Sequence, residues 1–97
     1  MRRPWEPPTE YTPATLEEVQ ARYSRQTIHI PAGRELLGEV DVQNNCHPAA
    51  PVLLLSGGPF YRCFCGCGRT YAPAGVDPEH AMRNWHRVTF EYLTRIK

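Results

Sequence analysis

Apolar and polar positions alternate with two different periods along this chain, and each change of period marks an element. Thr15-Leu16-Glu17-Glu18 has the spacing of a capping box, and Leu16, Val19 and Tyr23 share a face, so a short helix is predicted over about residues 15–24. Thr27-Ile28-His29-Ile30 alternates as a strand would, with Ile28 and Ile30 inward, His29 outward and Pro31-Ala32-Gly33 closing it. The stretch from Leu36 to Val42 becomes strand-like towards its end. Pro51-Val52-Leu53-Leu54-Leu55 is an unbroken apolar run, the pattern of a short buried strand. Ser56-Gly57-Gly58-Pro59 then turns the chain, and Phe60 to Cys65 is predicted to return as the hairpin partner.

The last element carries the strongest pattern. Asp77 suits a helix N-cap, Pro78 the first helical position and Glu79 the positive end of the helix dipole, which predicts a helix over residues 78–95. Met82, Trp85, His86, Thr89, Phe90, Leu93 and Ile96 fall on one side of it, and Arg83, Arg87, Glu91 and Arg95 follow one another at i, i+4 steps on the other. Residues 1–14 hold four prolines and read as an extended arm in which Trp5 and Tyr11 are available to dock on the domain or on a partner. Residues 15–97 are predicted to form one α+β domain: a short antiparallel sheet or hairpin with a C-terminal amphipathic helix.

Ninety-seven residues suffice for one modest core, small enough that a metal staple would add materially to its stability. The net charge of +1 hides an asymmetry, because residues 1–61 carry a net −2 and residues 62–97 a net +3. That surplus is well short of the dense Lys/Arg stripe of a dedicated nucleic-acid-binding domain. Met1-Arg2-Arg3-Pro4 is followed by no apolar run, so no secretory signal is read there, and no segment approaches the roughly 20 apolar residues of a membrane span. The expectation is therefore a cytoplasmic protein, in host cytoplasm if a phage encodes it, whose thiols stay reduced and are available to a metal rather than to disulfides.

All four cysteines lie between residues 46 and 67: Cys46, then Cys63-Phe64-Cys65-Gly66-Cys67-Gly68. Zinc takes four thiolate or imidazole ligands in a tetrahedron, and glycines beside cysteines let the backbone wrap closely round an ion. On a flat strand positions 63, 65 and 67 would stand about 6–7 Å apart, so the chain must bend at the glycines for their sulfurs to meet. The candidate ligands are Cys46, Cys63, Cys65, Cys67 and His86, with His47 a second candidate histidine. The opposing reading of these cysteines is as small buried hydrophobes, and of His86 as a core histidine bonded to backbone.

Two resemblances attach to this region. Cys63-x3-Cys67-x12-His80-x5-His86 has the loose spacing of a C2H2 zinc finger, and Tyr61 and Tyr71 stand where such fingers place aromatics. Helix geometry opposes that family, since a helix from residue 78 sets His80 among the arginines and His86 on the apolar face, about 9 Å further along the axis. The run Cys65-Gly66-Cys67-Gly68 followed by a helix bearing Ala81, Trp85 and His86 also resembles short zinc-binding proteins of actinobacteria and their phages. That resemblance implies a zinc-stabilised fold and brings no assigned activity.

Three function classes follow. The first is a structural zinc site in an interaction module whose favoured partner is a protein, with Trp5 and Tyr11 as contacts, or else a nucleic acid, with Arg62, Arg69, Arg83 and Arg87 on phosphates. The second is a small metalloenzyme, although neither His-Glu-x-x-His nor the deaminase pattern occurs and no catalytic residue is assigned. The third is an iron–sulfur protein, whose common cysteine spacings this chain does not match.

Overall fold

The computed structural model describes residue 3 and residues 5–95, and side chains through Tyr92. Its elements are β1 (Tyr11–Pro13), α1 (Leu16–Arg22), β2 (Glu35–Val40), β3 (Val52–Ser56), β4 (Arg62–Cys65) and α2 (Pro78–Arg95). The four strands form one antiparallel sheet in the order β1-β2-β3-β4, so the expected α+β fold with a C-terminal helix is the fold observed. The glycine turn makes β3 and β4 a hairpin, pairing Leu55 with Arg62, Leu54 with Cys63 and Val52 with Cys65.

The apolar run of β3 is buried on both faces. Val52 and Leu54 pack with Val40, Cys63, Cys65 and, from α2, Ala81, Met82 and Trp85. Leu53 and Leu55 point the other way, to Phe64, Val19 of α1 and Ile28. A strand in that position has no polar face to offer water, which is why helices lie against both sides of the hairpin.

α1 is capped as its sequence predicts: the Glu18 N–H donates to Thr15 Oγ1 at 3.2 Å and the Thr15 N–H to Glu18 Oε1 at 3.1 Å. Of its expected apolar face, Val19 is buried and Tyr23 half-buried, but Leu16, in the first turn, is 41% exposed. Tyr23 ties the helix end to β2, its hydroxyl donating to Glu39 Oε2 at 2.6 Å while Arg22 pairs with Glu39 Oε1 at 2.9 Å. That hydrogen bond, then burial, then the Glu39 charge push the Tyr23 phenol up to about 12, against a smaller lowering by Arg22.

The segment Thr27–Ile30 is not a strand. Ile28 is buried as expected, but its N–H donates to Gln20 Oε1 at 2.8 Å, so a side chain on α1 supplies the partner that a sheet neighbour would have. The sequence pattern also gave no sign that the proline-rich arm contributes to the sheet. Tyr11–Pro13 pairs with Val40–Gly38 as the edge strand, and Pro8 is fully buried. Gly38 permits this approach, since a Cβ there would collide with the Thr12 carbonyl.

In α2 the Asp77 carboxylate caps the first turn, accepting the His80 N–H at 2.8 Å. That bond and the His80 ring hold Asp77 below the usual carboxylate range. Ala81, Met82, Trp85 and Thr89 face the core, whereas Phe90, expected beside them, is 43% exposed and stacks against His86 at 6.0 Å. Arg83, Arg87 and Glu91 are exposed as expected, with Arg83 paired to Glu79 at 2.7 Å. The inward placement of Leu93 and Ile96 and the outward placement of Arg95 lie outside the described side chains.

Two outcomes are expected from this packing. Leu54→Ala should destabilise the domain by about 2–5 kcal/mol, while Leu16→Ala should change stability by no more than about 0.5 kcal/mol, both read from denaturant midpoints. In an ultraviolet titration, Tyr23 should supply a late phenolate step near pH 12 that Tyr23→Phe deletes. Because its folded pKa is raised, the stability it contributes is complete below about pH 10, the ordinary phenol value, and is lost as pH rises through about 12.

Candidate metal centre

Three of the four cysteines converge. The Sγ atoms of Cys46, Cys65 and Cys67 all lie within 4.8 Å of one another, and those of Cys46 and Cys67 are 3.5 Å apart. Zinc–thiolate bonds of about 2.3 Å place tetrahedral sulfurs about 3.8 Å from each other, so this spacing is compatible with a ligand set. Ordinary packing of small hydrophobes does not require it. The three thiols could hold a metal ion.

Each thiol arrives by a different local device. Cys65 ends β4, where pairing with Val52 fixes it on the face packed by α2. Cys67 is brought back by a tight turn in which the Gly68 N–H donates to the Cys65 carbonyl at 2.9 Å, and Gly68 takes φ +80°, a conformation glycine adopts without strain. This is the bend at the glycines that the sequence requires. Cys46 comes from the loop before β3, which folds on itself: Asn45 Nδ2 donates to the Ala50 carbonyl at 2.6 Å, the Ala50 N–H to the His47 carbonyl at 3.1 Å, and the Cys46 N–H to Asn45 Oδ1 at 2.8 Å.

One backbone hydrogen bond joins loop to turn, from the Gly66 N–H to the Pro51 carbonyl at 2.7 Å. Gly66 also sits in a tight space, where a Cβ would stand 3.0 Å from both Ile28 Cδ1 and Pro51 Cδ.

The thiols differ in environment. Burial pushes the Cys65 thiol up to about 12; the Cys67 N–H works against this and the Cys67 and Cys46 thiols add to it. For Cys67 burial again acts upward, but the Arg69 N–H, the Cys65 and Cys46 thiols and the Arg69 charge together bring it below its ordinary value. Cys65 is buried, while Cys46 and Cys67 are half-buried.

The remaining candidates stand apart from this group. Cys63 is fully buried, its thiol pushed up to about 12 by burial and its carbonyl accepting the Ala72 N–H at 3.1 Å. His86 lies on α2 beside Pro8, Val42 and Asn44. His47 Nδ1 accepts the Ala49 N–H at 3.2 Å, and His80 Nδ1 lies 3.0 Å from Asp77 Oδ2. Trp5 is 62% exposed with the Arg3 guanidinium 5.5 Å from its ring, and Tyr11 is half-buried in β1. Sequence reasoning named Arg69 only as a phosphate contact, not beside the thiols, and missed Pro51. The position of Arg69 two residues after Cys67 was a legible signal; the hydrogen bond at Pro51 was not, since it depends on register.

No family model, curated protein or solved structure matches this chain. Among the described residues no helix is long and apolar enough to cross a membrane.

Proposed function

We propose that this chain is a small zinc-binding interaction module, in which the metal pins the Cys46 loop to the Cys65–Cys67 turn and the surface so fixed receives a protein partner. The observation that carries the metal is the convergence of three thiols from two segments within 4.8 Å. Zinc is favoured among metals because thiolates in a reducing compartment suit it and a structural site needs no redox chemistry. Zinc ligation can add about 10 kcal/mol or more to folding, comparable to the whole stability of a small domain.

A protein partner is favoured over nucleic acid by the charges. Arg83, one of the four candidate phosphate contacts, is engaged by Glu79, and the chain as a whole is nearly neutral. The loop carrying Cys46 also lines an open groove of about 580 Å3, through Asn45, Pro48, Ala50 and Pro51, together with Thr12 and Tyr23. A groove of that size can seat a side chain or short peptide, and pinning the loop would set its width. Trp5, Phe90 and Tyr92 add exposed aromatic surface of the kind that anchors protein contacts.

Elemental analysis of protein purified without chelator should find about one zinc per chain, and chelation should lower the melting temperature. Iron with visible absorption, or no metal, would overturn the zinc reading. With a duplex DNA probe, no binding is expected at physiological salt. Binding that weakens steeply with salt and is reduced by Arg87→Ala would instead assign the nucleic-acid class.

A further inference from the structure

A tetrahedral ion needs four donors, and the described residues bring three together. Among the described residues, neither the other sulfur nor an imidazole belongs to that group. Cys63 is on the same face of β4 as Cys65, but regular pairing of Leu54 with Cys63 and Val52 with Cys65 keeps the strand straight between them, with side chains about 6–7 Å apart. Its thiol packs in the core among residues that include Trp85 and Met82. His47 Nδ1 serves its own loop by accepting the Ala49 N–H, and His86 stacks on Phe90. No carboxylate belongs to the group.

The group is also asymmetric. Cys65 forms its buried floor, and half-buried Cys46 and Cys67 form the side nearer solvent, where the exposed Arg69 follows Cys67. Zinc with three thiolates carries a charge of −1, and a fourth thiolate makes it −2. The exposed Arg69, two residues beyond Cys67, puts a cation at the open side that offsets that increment.

Building on the metal reading above, we infer that the ion held by Cys46, Cys65 and Cys67 takes its fourth donor from outside the chain, a thiolate arriving on the Arg69 side. Sites with three protein ligands and an exchangeable fourth position are the ones that bind ligands, whereas four protein ligands close a structural site. The module would then bind thiols through its metal, either a small free thiol or a cysteine of another chain. Binding forms one metal–sulfur bond and releases the thiol proton to solvent together with whatever donor occupied the position. No electron is transferred.

The test uses the full chain loaded with cobalt(II), whose visible ligand-field spectrum reports the donor set, titrated with 2-mercaptoethanol while native mass spectrometry counts metal, thiol and chains. Expected are a saturable spectral shift with one cobalt retained and one thiol added per chain, weaker thiol binding in Arg69→Glu at unchanged cobalt content, and unaltered starting spectra for His47→Ala and Cys63→Ser. If another chain supplies the sulfur, the starting species is a cobalt-dependent dimer that the added thiol splits to monomers. A spectrum that thiol does not move, with cobalt still bound, would overturn the inference and leave the metal reading standing. A changed starting spectrum in His47→Ala or Cys63→Ser would overturn it by naming the donor within the chain. A chain that binds no cobalt and no zinc would remove the metal reading as well.

Discussion

The candidate metal centre depends on β3 being apolar on both faces. A strand with no polar side must be covered twice, and Val52, Leu53, Leu54 and Leu55 are each no more than 2% exposed because α2 and its neighbours close one face while Val19 and Ile28 close the other. Full burial of a Val or Leu side chain contributes about 1.5–3 kcal/mol, which holds the strand inside, and the glycine turn between β3 and β4 sets its register. The fixed register places Cys65 opposite Val52. The residue before Val52, Pro51, is then in position to accept the Gly66 N–H, and the two cysteine-bearing segments meet.

Packing alone leaves that meeting only partly secured. Cys46 sits in a loop held largely by its own hydrogen bonds, from Asn45 to Ala50 and from Ala50 to His47. Its tie to the turn is the single bond at Gly66 and the proximity of its thiol to Cys67. A metal would convert that proximity into covalent-strength links between the loop, the turn and the end of β4. The loop also lines the groove, together with Tyr23 and Glu39, so the same links would govern the shape of the surface proposed to meet a partner.

Much of this was legible in the residues. The capping box at Thr15, the N-cap at Asp77, the glycine turn after Ser56 and the unbroken run of β3 are local signals, and each became the element it predicts. Long-range pairing was not legible. Thr27–Ile30 alternates like a strand but takes its hydrogen bond from Gln20, and Tyr11–Pro13 reads as proline-rich coil but becomes an edge strand because Gly38 leaves room for it. Cysteine clustering pointed to a metal, yet alternation along β4 puts Cys63 and Cys65 on one face without bringing their sulfurs together. Only the turn at Gly66 and Gly68 adds Cys67, and only the register adds Cys46. Phe90 shows the limit of helical periodicity, which assigns a side of the helix but not where the sheet beneath it ends.

Hydrogen exchange at the Gly66 amide, compared between metal-loaded and chelated protein, tests most directly whether a metal ties loop to turn. That amide reports the one backbone bond between the two cysteine-bearing segments, at 2.7 Å to the Pro51 carbonyl. Chelation should collapse its protection, together with that of residues 45–50, while amides in the β3–β4 ladder lose far less. Equal protection of Gly66 with and without metal would contradict the claim that the three thiols are a metal centre on which this part of the fold relies.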